Sequence, residues 1–268
     1  MGSRLQPVND AMPQLGRLLL LGREHGTWGA IASTEVGSLA AASVSVGATP
    51  NSPSAQFKYD PQVSNEDAGC VTSHLEWTGL AVADAHYGPE ASHMFVERLH
   101  NIWRKIRPTD LDHLAQMIEF LRQGDAAITE SETTLLVVIY ERTSRTGFGI
   151  SFGDSTFAIA GPNRSATAIN ARDDRFVSAR RRSSLRHGSA FKFDAAPGEL
   201  LLAFTDGVDG CHYRNPATSV QVSDIDRIAK RADYDPHKTV RTLTEVALAG
   251  VRGNPGGEDN IVALAAKA

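Results

Sequence analysis

Cysteine, charge of one sign and long apolar runs are all scarce in this chain, and each scarcity removes a class of protein. Two cysteines in 268 residues, Cys70 and Cys211, are too few for a disulfide scaffold and show no zinc-type spacing. They read as small apolar groups in a reduced compartment, so a cytoplasmic location is expected. The formal net charge is only -4, which gives no electrostatic reason to expect nucleic acid or an anionic membrane as partner. The best candidate for a membrane segment is "LLLL" at 18–21, flanked by Arg17 and Arg23. It falls far short of the roughly 20 apolar residues of a spanning helix, and no secretory cleavage pattern follows it. There is no internal repeat. No loop spaces acids at alternate positions, so an EF-hand is excluded.

What remains is an ordinary globular composition, 41% hydrophobic and 22% charged, with enough apolar residues for one large core. Residues 1–24 read as a flexible extension and 25–268 as the domain. Strand-like runs fall at 27–33, 38–46, 68–73, 79–84, 133–140, 146–152, 155–160, 199–205 and 260–266, short and apolar with many β-branched residues. Helical periodicity appears at 88–124 and again at 223–251. In the second region Ser223, with Asp226 three places on, reads as one cap, and Pro236 falls in the first turn of a further helix. Strands in series imply antiparallel pairing, and segregated helix pairs imply layers outside the sheets. The coarse expectation is a sandwich of strands with helices on both faces. Two stretches, 47–64 and the arginine-rich 161–190, read as loop excursions from this one domain.

Acids recur beside the most apolar strands. Glu66 and Asp67 precede one, Asp84 closes "GLAVAD", Asp206 closes "LLLAFTD", Asp259 opens the last, and Asp154 sits in the turn "FGDS". One aspartate at a strand end is a turn residue and means little. Several can be brought to one rim if the strands share a sandwich. Converging carboxylates repel, and desolvating them is costly unless a cation neutralises them. Oxygen donors without cysteine or paired histidine favour Mg²⁺ or Mn²⁺ over zinc.

The segments "NEDAG", "VADAHYGPEAS", "TTLLVVIY", "FGDS", "LLLAFTDGVDG" and "GGEDNIVALAA" together resemble, in order, the motifs of the metal-dependent Ser/Thr protein phosphatases of type 2C. The resemblance implies an α+β fold: a four-layer α-β-β-α sandwich of two mainly antiparallel sheets flanked by helix pairs. It implies hydrolysis of phosphoserine or phosphothreonine in proteins, with a phosphorylated protein as substrate and a cognate Ser/Thr kinase opposing it. Two Mn²⁺ or Mg²⁺ ions would be the cofactors, with a place for the third, weaker ion that bacterial members of the family support. By the same likeness Asp84 would bridge two ions, with the Ala85 carbonyl completing one of them. Asp206 and Asp259 would hold the other, and Glu66 and Asp67 would act largely through water. Asp154, with Asp206, matches the pair that supports a third ion, and His86 matches the histidine that protonates the leaving alkoxide. An imidazole of ordinary pKa near 6.5 suits that task.

The likeness has gaps. Where the family commonly carries a phosphate-binding arginine this chain has Gln62, which donates a hydrogen bond but cannot form a charged bidentate clamp. Lys58 and Arg180 to Arg182 are the substitutes suggested by residue type. Ala85 and Glu132 stand where glycine is usual, and Tyr87 where a small residue is frequent. An alanine carbonyl can still serve as a ligand if its φ is negative. A catalytically weak or inactive member that binds a phosphoprotein or a regulator, and a hydrolase of small phosphate esters, are the rival readings.

Overall fold

Strands buried on both faces lose the apolar–polar alternation of a half-exposed sheet, and that is why the apolar runs here are nearly continuous. The computed structural model describes residues 14–50, 65–123, 131–177 and 188–268. One six-stranded sheet runs in the order β1 (Gln14–Leu21), β4 (Ala68–His74), β5 (Trp77–Ala83), β8 (Leu135–Glu141), β9 (Thr146–Phe152), β12 (Ser189–Asp194). The other runs β11 (Arg164–Ala168), β10 (Thr156–Gly161), β13 (Leu200–Phe204), β14 (Ile261–Lys267), β3 (Ala40–Ser45), β2 (Ala32–Val36). Neighbours in both sheets are antiparallel.

The pleat sends successive side chains to opposite faces, and the core divides accordingly. Leu80 and Val82 of β5, Leu136 and Val138 of β8, Leu201 and Ala203 of β13, and Val262 and Leu264 of β14 fill the space between the sheets. Their neighbours Ala81, Val137 and Ile139 point outward, onto Phe95, Leu99 and Trp103 of one helical layer and Leu114, Met117 and Ile118 of the same layer. That layer is α1 (Glu90–Ile102) and α2 (Leu111–Gln123). On the far side Leu202, Phe204, Ala263 and Ala265 meet Ile225 and Ile228 of α4 (Val222–Arg231) and Val240 and Leu243 of α5 (Pro236–Ala249). The result is the expected α-β-β-α sandwich.

Four local expectations are corrected. Gln14–Leu21, placed by the sequence in the extension, is edge strand β1 paired along β4, with Leu18, Leu20 and Leu21 buried. Residues 27–31 are turn and coil rather than strand, and β2 starts at Ala32. The stretch 161–190 is not all loop, since it contains β11 and the start of β12. The α4 cap is Gln221, whose capping box uses Asp224, in place of Ser223 and Asp226. At α5 the reading holds: Pro236 opens the helix and the Asp235 carboxylate accepts the Lys238 amide at 2.8 Å.

Candidate metal centre

β5 ends at Ala83, and the backbone of the next residue is held by the residues that lead into β8. The Asp84 amide donates to Thr134 Oγ1 at 3.0 Å, and its carbonyl accepts from the Thr134 amide at 2.8 Å and from Thr133 Oγ1 at 2.9 Å. Two threonines thus occupy the Asp84 backbone and leave its carboxylate to point away. Ala85 and His86 form β6 (Ala85–His86), paired with β7 (Glu132–Thr133). The Thr133 amide is taken by the Val177 carbonyl at 3.0 Å, so it makes no claim on the Ala85 carbonyl. Positive φ falls at Tyr87 (65°) and Gly88 (113°), not at Ala85. The alanine therefore carries no left-handed strain.

Asp154 lies in the turn joining β9 to β10, after Gly153, whose φ of 90° suits glycine. Asp206 opens the short helix α3 (Asp206–Asp209) directly after β13. Its neighbour Gly207 sits against the chain before β14: a Cβ there would lie 1.7 Å from the Asn260 carbonyl oxygen. A glycine is what lets the Asp206 and Asp259 connections approach. Asp259 caps its own turn, accepting the Asn260 amide at 2.8 Å.

Three of these acids converge. Carboxylate oxygens of Asp84, Asp154 and Asp206 lie within 4.8 Å of one another. Asp259 is outside that group, yet its charge reaches it. Burial pushes the Asp206 carboxyl well above the usual carboxylate range, and the charges of Asp84, Asp259, Asp154 and Asp209 push it further. Asp206 Oδ1 is buried and has no hydrogen-bond partner among the described residues. Leaving such an atom without a partner costs free energy, and a cluster of oxygen donors with an excess of negative charge fits a hard divalent cation.

Glu66 and Asp67 are not in that group of three. Both are buried. The Glu66 amide donates to Asn260 Oδ1 at 2.9 Å, and Asp67 Oδ2 accepts from Thr205 Oγ1 at 2.7 Å. Thr205 Oγ1 also accepts the Val262 amide at 3.0 Å, so one hydroxyl ties Asp67 to the residue before Asp206 and to β14. His86 is exposed, and its ring centroid lies 4.7 Å from that of Phe176. Gln62, Lys58 and Arg180 to Arg182 lie outside the described residues.

Two residues at the site carry no role in the sequence reading. Asp209 is one residue beyond "TDGV", and Arg172 belongs to the stretch read as a loop. Arg172 Nη1 donates to Asp209 Oδ2 at 2.9 Å, and its Nη2 lies 3.9 Å from Asp154 Oδ2. Asp209 Oδ2 also accepts from Thr156 Oγ1 at 2.8 Å. Burial raises the Asp209 carboxyl to about 6, with Arg172 opposing the shift. An unassigned acid after a short DGV spacing was the available signal; an arginine 37 positions earlier (209 minus 172) was not one.

No family model and no curated relative match the chain. Solved structures do. The catalytic domain of the serine/threonine protein phosphatase PstP, in complex with two manganese ions, is 16% identical with a TM-score of 0.63, covering 89% of this chain and 99% of that one. RsbX in complex with magnesium is 14% identical, with a TM-score of 0.57 over 89% of this chain and 99% of that one. PppA of Pseudomonas aeruginosa, a regulatory component of its type VI secretion system, is 19% identical with a TM-score of 0.56, covering 90% and 98%. Identities this low bear on shape and not on chemistry. The shape is shared across nearly the whole of each chain, and the protein has the fold of the metal-dependent protein phosphatases of type 2C.

Proposed function

We propose that the protein hydrolyses phosphoserine or phosphothreonine in proteins with the help of bound Mn²⁺ or Mg²⁺. The observation that carries this reading is the convergence of Asp84, Asp154 and Asp206, delivered by connections of both sheets, around a buried oxygen without a partner. Asp84, Asp206 and Asp259 would hold the ions, with the Ala85 carbonyl as a further donor and Asp154 at the outer edge. Glu66 and Asp67 would orient bound water from the second rank. When bound, divalent ions supply a water acidic enough to attack near neutral pH and neutralise charge on the phosphoryl oxygens.

The chain's own groups account for the rest. Thr133 and Thr134 fix the Asp84 backbone, so its carboxylate is aimed before any ion arrives. His86 is exposed at the rim and braced by Phe176, a position suited to delivering a proton to the departing serine or threonine oxygen. Gln62 would contribute a neutral hydrogen bond to the phosphate. The partner is a phosphorylated protein, opposed by a Ser/Thr kinase.

The test is phosphate release from a phosphoserine or phosphothreonine peptide, with Mn²⁺ or with EDTA. Mn²⁺-dependent release, lost by at least about 100-fold in Asp84→Asn, is expected. Equal release by the parent and by Asp84→Asn, or release that persists in EDTA, would overturn the reading.

A further inference from the structure

The segment after β11 runs as a strap across the candidate centre. Asp173 and Gly153 exchange hydrogen bonds: the Asp173 amide donates to the Gly153 carbonyl at 2.9 Å, and the Gly153 amide donates to Asp173 Oδ1 at 2.9 Å. Three residues on, Phe176 lies against His86, and the Val177 and Thr133 backbones pair in both directions. The strap is thus fastened to the turn that carries Asp154 and to the strand beside Ala85. Arg172 is at its start, which fixes where its guanidinium can reach.

We propose that the Arg172 guanidinium is a built-in cation of the centre: it holds the outer acids Asp154 and Asp209 and so limits the number of divalent ions the site takes up. The inference rests on the metal reading above and deepens it. The carboxylates of Asp84, Asp154 and Asp206 converge, and the charges of Asp209 and Asp259 also reach Asp206; such a group needs neutralising charge from the solvent side as well as from within. Arg172 supplies it from a side chain anchored in the strap. One Nη is hydrogen-bonded to Asp209 Oδ2, whose other donor is Thr156, while the second Nη lies toward Asp154. Asp209 is nearly buried, while Arg172 and Asp154 are each about two-fifths exposed, so the arginine covers Asp209 from the solvent side. An ordinary surface ion pair would also bring the two charges together, but it would leave metal stoichiometry unchanged.

Arg172 is a positioning residue on this account, and calorimetric titration of EDTA-stripped protein with Mn²⁺ tests it. Arg172→Met keeps the length of the side chain and removes the charge; it is expected to bind one more Mn²⁺ per chain than the parent. Arg172→Lys restores a cation and is expected to return the parent's stoichiometry. Adding Asp209→Asn to Arg172→Met is expected to abolish the extra ion. Equal stoichiometry for the parent and Arg172→Met would overturn the inference while leaving the metal reading intact. An extra ion in Arg172→Lys as well would overturn the role of charge. A parent that binds no Mn²⁺ would overturn both.

Discussion

A buried aspartate surrounded by other aspartates opposes folding until a cation joins them, and this fixes the sign of a stability change. Neutralising Asp206 in the metal-free protein at pH 7 removes repulsion from Asp84, Asp259 and Asp154. Asp206→Asn is therefore expected to melt higher than the parent in EDTA, by about 2–4 °C for each kcal/mol relieved in a chain of this size, and lower than the parent in excess Mn²⁺. A lower melting temperature in EDTA would contradict the repulsion. His100 gives a second residue-scale prediction, away from the site. Burial, then the charges of Arg17 and Arg104, lowers its pKa to about 4. The unfolded chain binds a proton there from about pH 6.5 downward, while the folded chain resists one until about 4. Between those values the unfolded state holds more protons, so stability falls as pH falls. His100→Gln is expected to flatten that acid limb in urea titrations at pH 5 and 7; an unchanged slope would remove His100 as a cause.

At the scale of single elements, close approach and capping decide which substitutions hurt. Gly207→Ala would drive a methyl into the Asn260 carbonyl and is expected to cost about 3 kcal/mol or more, read as a lower denaturation midpoint. Asp235→Ala removes the α5 cap and is expected to cost about 1 kcal/mol. Element type was legible wherever both faces of a strand are covered, as in β5, β8, β13 and β14, because burial on two sides demands an unbroken apolar run. It was not legible at the sheet edges. β11 is mostly exposed and carries "RSATA", with no apolar pattern to find. β12 does alternate, with Phe191 and Phe193 inward, but it follows an arginine-rich stretch that masks the signal. β1 presents four leucines in a row, a pattern that periodicity cannot assign to any face. The α4 cap was misplaced by two residues because Gln221 is not a residue type that advertises a cap, whereas its partner Asp224 closes the box all the same.

For the whole molecule, the sandwich is what turns acids scattered in sequence into one centre. Asp84 hangs from a connection of the first sheet, Asp154 from the turn that crosses from the first sheet to the second, and Asp206 and Asp259 from connections of the second. Packing between the sheets therefore sets the distance between them. Trp103, fully buried against Trp77 with ring centroids 6.2 Å apart, anchors α1 on the first sheet; Trp103→Ala is expected to cost about 3–5 kcal/mol while leaving Mn²⁺ affinity unchanged in the fraction that folds. The candidate acids were visible in the sequence because aspartate is foreign to strand ends this apolar. Arg172 and Asp209 were not, since only the folded strap brings them together. The most direct test of the central claim is an anomalous difference map from crystals grown with Mn²⁺. The account predicts density in contact with the carboxylates of both Asp84 and Asp206. Density confined to other acids, with none between these two, would contradict it.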